Sequence, residues 1–196
     1  MAMYVFQELK PKIFYFTYCL QEIGNYIKFL EESNGKPTTP QEVRDNVFSM
    51  SDSPYITDWS SEEYGYSKKF SSDFKKENLP IDNRVLFLVN NLKATFHYCF
   101  TQYKMFNNIE EEVNLDKNFL IKKVKEGFDL IDQPYGKYTA RLYVNNSFAG
   151  GGIKIPGLEN SLNADAGSII IAPSNVNISA DPAFKTSRYI GYGYWI

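Results

Sequence analysis

"GSIIIAPSNVNISADPAFKTSRYIGYGYW", running from Gly167 to Trp195, decides how the rest of the chain is read. A Gly-led apolar run is cut by Pro173-Ser174, a short piece around Asn177 and Ile178 follows, and an Arg188-Tyr189 pair opens a closing aromatic segment. Short β-branched or aromatic runs bounded by Gly, Pro, Asn and Asp are strand signals. Three of them within thirty residues predict a sheet.

Working back towards the middle of the chain, "NFLIKKVKEG", "KYTARLYVN" and "GGGIKIP" have the same texture. In "YTARLYV", Tyr138, Ala140, Leu142 and Val144 alternate with Thr139, Arg141 and Tyr143, so the strand carries two unlike faces. The first half of the chain reads differently. Leu20, Ile23, Ile27 and Leu30 recur at helical spacing between Thr17, a capping residue, and Ser33, with Asn34-Gly35 as the stop. Val85, Leu88, Leu92, Phe96, Cys99, Phe100 and Tyr103 form one apolar stripe and predict a second helix from Pro80 to about Met105. The polar, aromatic stretch from Asp45 to Lys76 has no sustained period and reads as a long connection with room for a short helix or strand. Helices first and strands afterwards predict an α+β fold: a double-stranded β-helix, or jelly roll, in the C-terminal half, buttressed by two N-terminal helices. One domain is expected over 1–196, with 1–110 as helical support and long loop and 115–196 as the jelly-roll half.

Composition narrows the function classes. A formal net charge of −2 with no block of like charge gives no electrostatic basis for binding nucleic acid. Aromatic residues make up 16%, from 15 Tyr, 15 Phe and 2 Trp, and tyrosines suit partly wet sheet surfaces and interfaces. Cys19 and Cys99 fall in apolar patterns, read as small buried hydrophobes, and imply a reducing compartment. No apolar stretch reaches bilayer length. "IFYFTYCL" lacks a small-residue cleavage site and is expected to run on into a helix, not to act as a signal peptide.

The order "YTARLYVNNSFAGGGIKIP", "ADAGSIIIAPSN", "TSRYIGYGYW" resembles the catalytic half of iron(II)- and 2-oxoglutarate-dependent oxygenases, in their prolyl 4-hydroxylase-like branch. The resemblance implies the jelly-roll fold. It also implies an iron held by a His-x-Asp pair and a distal His, a two-histidine, one-carboxylate face that leaves positions open for the oxo-acid and oxygen. Carried over by position, those ligands fall at about Asp132, Pro134 and Asn177. Proline offers no donor atom and an amide oxygen is a poor ligand for iron. The chain holds a single histidine, His97, read as a packing residue beside the helical stripe, so one subunit cannot supply two imidazoles. Arg188 matches the family's arginine that pairs with the far carboxylate of 2-oxoglutarate, with Thr186 where the family has a glycine; without iron the favoured reading is an arginine crossing the jelly-roll interior to satisfy Asp132 or backbone carbonyls.

Other chemistries are weaker. Asp129, Asp132, Asp165 and Asp181 match no cation-loop spacing and read as turn formers. Ala149 to Gly152, "AGGG", is a hairpin turn and not a phosphate cradle, since no helix follows. The expectation is therefore a non-catalytic copy of the fold without metal or cofactor, acting through protein partners as a homo-oligomer or with other virion proteins, without nucleic acid or membrane. A small chain of this composition reads as a phage or virus product, placed in a virion as capsid decoration, neck, collar or tail, and otherwise in the cytoplasm. The alternative is a divergent 2-oxoglutarate-dependent oxygenase of a protein or small molecule, with cofactor binding at Arg188 and metal ligands borrowed from a second subunit. A third reading is a lectin-like binder using tyrosines at the jelly-roll mouth.

Overall fold

The computed structural model describes residues 6–20, 24, 55–58, 66–71, 83–116, 118–124, 126–127, 129–130 and 135–196. Its main feature is an eight-stranded sheet. The chain supplies β1 (Phe6–Lys10), β2 (Ile13–Phe16), β3 (Tyr55–Asp58), β4 (Tyr66–Ser71), β5 (Asn118–Val124), β6 (Tyr138–Tyr143), β9 (Ser168–Pro173) and β12 (Arg188–Trp195). They lie in the order β1-β2-β9-β6-β12-β5-β4-β3, every neighbouring pair antiparallel. Facing part of it are two short ladders, β8 (Ile153–Lys154) with β10 (Ser179–Ala180) and β7 (Ala149–Gly150) with β11 (Ala183–Phe184). Single bridges from Leu130 to Ala180 and from Ile153 to Leu162 extend this smaller layer.

Period-two alternation sorts the side chains into two cores. From β6 and the residue after it, Ala140, Leu142 and Val144 join Phe14, Phe16, Ile169, Ile171 and Trp195 on one face. Against them packs helix α1 (Asn83–Phe106) through Leu92, Phe96, Cys99, Phe100 and Tyr103, the stripe that the sequence predicts. Phe100 stacks on Trp195 with ring centroids 4.0 Å apart, joining the middle of α1 to the end of β12. On the other face Tyr143, Ile170, Ala172, Ile190, Tyr192 and Tyr194 meet Ile153, Ile155, Ile178 and Ala180 of the smaller layer, which closes the jelly-roll interior. Both faces of the central strands are covered, so "SIIIA" reads as a continuous apolar run. Cys19 and Cys99 are free thiols buried in the helix-side core, with Sγ atoms 3.5 Å apart.

The jelly-roll part of the predicted fold is borne out; of the two expected helices the second is α1, and the first is described only at Thr17 to Leu20 and at Gly24, which is helical. Thr17 to Leu20, the expected start of the first helix, are not helical; the remainder of that helix lies outside the described residues, apart from Gly24. What precedes them is the β1–β2 hairpin, turned at Pro11-Lys12 with Lys12 at φ 66°. Ile13 and Tyr15 face the jelly-roll interior while Phe14 and Phe16 face α1. A four-residue run buried on both sides of a sheet looks, in sequence, like any short apolar segment. The connection from Asp45 to Lys76 likewise contains two strands, β3 and β4, which extend the far edge of the sheet. No described helix is long and apolar enough to cross a membrane.

Candidate functional site

Arg188 is the first residue of β12, and the alternation of that strand aims it to the interior side with Ile190, Tyr192 and Tyr194. It is 1% exposed. Its Nη2 donates to the carbonyl of Asp181 at 2.7 Å, and its guanidinium carbon lies 5.1 Å from the centre of the Phe148 ring. Nε and Nη1 have no hydrogen-bond partner among the described residues. Burial pulls the Arg188 pKa below its ordinary value, while the nearby Tyr143, Tyr192, Asp181 and Asp129 act in the opposite sense. A guanidinium cannot shed its proton in a protein, so the cost of desolvating it stays until an anion meets it.

The arginine borders a cavity of about 260 Å³ lined by Tyr143, Phe148, Gly151, Asn163 and Asp165 among others. Two local devices shape it. Asn145, buried, donates from Nδ2 to the carbonyl of Ser187 at 2.9 Å and accepts from the Tyr189 N–H at 2.9 Å, pinning the backbone on both sides of Arg188. Gly151, at φ 73°, leaves room that a side chain would deny: a Cβ there would collide with Nη2 of Arg188 and with the Phe148 ring. Neither Asn145 nor Phe148 stands out in the sequence; of the three, only the glycine run around Gly151 carries a signal, a close approach of backbone to another group.

The other residues singled out in the sequence do not gather here. Asp132 and Pro134 lie outside the described residues. Asn177 is exposed and lines a separate open groove with Lys154, Glu159 and Asp181. His97 is exposed on α1, which corrects its reading as a packing residue. It borders a different cavity with Phe100 and Trp195, on the side of the sheet opposite to Arg188. Asp165 holds a turn, its carbonyl accepting from the Ser168 N–H at 3.1 Å and from Oγ at 2.6 Å. Asp181 pairs with Lys154. Among the described residues no three His, Cys, Asp or Glu side chains come together as a metal site. With one histidine in the chain, a two-histidine iron face does not fit the residues of a single subunit.

No protein-family model and no curated protein matches the chain. Solved structures do. A 2OG-Fe(II) oxygenase-family oxidoreductase from Burkholderia pseudomallei aligns over 88% of this chain and 89% of its own, with a TM-score of 0.50 at 12% identity. The non-heme alpha-ketoglutarate-dependent epimerase SnoN from nogalamycin biosynthesis gives a TM-score of 0.50 at 12% identity, over 94% of this chain and 77% of its own. A prolyl hydroxylase from Trichoplax adhaerens, solved with a hypoxia-inducible-factor peptide, gives 0.50 at 11% identity over 80% and 77%. The chain has the jelly-roll fold of the 2-oxoglutarate- and iron-dependent oxygenases, as its strand order predicts. The expectation of a non-catalytic protein is corrected: these structures of the same fold are of enzymes.

Proposed function

We propose that the chain is a divergent enzyme of the oxygenase fold whose interior pocket takes a small dicarboxylate of the 2-oxoglutarate class, with one carboxylate on Arg188. The observation that carries this reading is the buried guanidinium at a cavity of about 260 Å³, with Nε and Nη1 lacking hydrogen-bond partners among the described residues. Nε and Nη1 leave the planar guanidinium on different edges, so a carboxylate meets one of them at a time, in a charge-assisted hydrogen bond. Similarity to oxygenases in fold supports the choice of ligand class. The residues of one subunit do not fit the two-histidine iron face, so no oxidative step is derived from them.

The test is a titration of the purified protein with 2-oxoglutarate, followed by thermal shift and calorimetry, with Arg188→Met as control. Binding that Arg188→Met abolishes supports the reading, and silence of the wild-type protein at millimolar ligand overturns it. Turnover is read separately, as succinate formed from 2-oxoglutarate in air with iron(II) added. Succinate above the no-enzyme background supports the oxygenase assignment, and its absence despite binding removes that assignment.

A further inference from the structure

We infer that carboxylate capture at Arg188 is metal-independent. The inference rests on the ligand class proposed above and concerns what holds that ligand. A 2-oxo acid gains affinity from a metal by chelating it through the oxo oxygen and the adjacent carboxylate, which requires an ion fixed at the pocket by protein donors. The chain's one imidazole, His97, is exposed on α1, across the sheet from the pocket, and the amide of Asn177 borders another groove. The chelating half of a metal-assisted site thus lacks its imidazole pair.

The anion-binding half is complete by contrast. Arg188 is desolvated before any ligand arrives, backed by the Phe148 ring, and positioned by the Asp181 carbonyl. Its Nε and Nη1 have no hydrogen-bond partner among the described residues and are buried beside the cavity, so a carboxylate reaches them with only a local shift of the packing over them. At the mouth of the same cavity stand the exposed Asn146 and Asn163, whose amides can donate to a second carboxylate or an oxo group. Asp165 also lines it, its backbone N–H donating to the Tyr15 hydroxyl at 2.9 Å and its carboxylate accepting from that hydroxyl at 3.4 Å. With this arrangement the 2-oxo group adds little, and a dicarboxylate without it binds as well.

The experiment is calorimetry on the full chain with 2-oxoglutarate and with glutarate, each in EDTA and each with Mn(II). The expected result is four dissociation constants within about threefold of one another, and at least about tenfold weaker binding for Arg188→Met throughout. Arg188→Lys, which keeps the charge and loses the planar fork, falls between, and it serves as the folded control if the methionine variant does not purify. Loss of about tenfold in EDTA, restored by Mn(II) and accompanied by glutarate binding about tenfold more weakly, overturns metal independence while leaving the pocket reading intact. No binding of either ligand under any condition overturns the pocket reading, and this inference with it.

Discussion

The guanidinium of Arg188 lies over the face of Phe148, 5.1 Å from its centroid, and no carboxylate among the described residues stands within ion-pair distance of it. With the Asp181 carbonyl, the ring compensates a cation that burial has stripped of water. A desolvated cation–π contact is worth about 0.5–2 kcal/mol. Phe148→Leu keeps the apolar volume and removes the quadrupole, so the free cation loses compensation that a bound carboxylate would replace, and dicarboxylate affinity should rise about twofold to thirtyfold. Calorimetry of the two proteins side by side checks this, and equal affinities would mean that the ring is only a wall.

Removing the guanidinium altogether should separate binding from stability. Arg188 is 1% exposed and leaves Nε and Nη1 without partners among the described residues, so in the free protein it is a net cost. Replacing a buried charged group by an apolar one of similar volume is often neutral or stabilising by about 1–4 kcal/mol. Arg188→Met should therefore melt at the wild-type temperature or above it, and added dicarboxylate should no longer raise that temperature. A variant that melts well below wild type would show the guanidinium to be structurally satisfied, against the pocket reading.

The predicted strands from Asn118 onward were legible because each carries its own period and its own punctuation. Tyr138, Ala140, Leu142 and Val144 face α1 while Thr139, Arg141 and Tyr143 face the interior, as their alternation demands. The α1 stripe from Leu92 to Tyr103 was legible for the same reason. Ile13 to Phe16 was not, since a strand covered on both faces loses its alternation and four residues are too few to show a helical period. At the site, Arg188 is marked by its place before an aromatic strand, whereas Phe148 comes into contact with it only through the turn at Gly150 and Gly151. Contacts made by folding a loop back over a strand have no spacing rule in the sequence. The prediction of a non-catalytic protein failed at a different level: counting histidines tests one way of holding a metal, and it does not test what the remaining pocket binds.

Gly151 gives the most direct mutational access to that geometry. At φ 73° it occupies backbone space that costs a residue with a side chain about 1–2 kcal/mol, and its Cβ would meet Arg188 and Phe148. Gly151→Ala should lower the denaturation midpoint and weaken dicarboxylate binding together, because the guanidinium must move to admit the methyl group. Gly157→Ala is the matched control. Its φ is 80°, but a Cβ there meets only the end of the Lys10 side chain, at 3.6 Å or more, so it should lose comparable stability and keep its affinity.

Away from the pocket, Glu111 sets a small acid dependence of stability. Its Oε2 pairs with Lys137 Nζ at 2.7 Å and its Oε1 accepts from the Tyr138 hydroxyl at 3.1 Å, tying the segment after α1 to the start of β6. The Lys137 hydrogen bond, then the Tyr138 one, lowers the carboxyl pKa from its ordinary value. A carboxyl whose folded pKa is depressed binds its proton more readily in the unfolded chain. Its contribution is thus fully present above the unfolded value, falls as pH drops through the folded one, and is absent below both. Exposure of both partners keeps the effect small. Melting curves of wild type and Glu111→Gln should differ slightly at neutral pH, with the variant lower, and converge as the buffer is taken below the ordinary carboxylate range. A gap that persists into acid would assign the contact to packing of the Tyr138 ring instead of to charge.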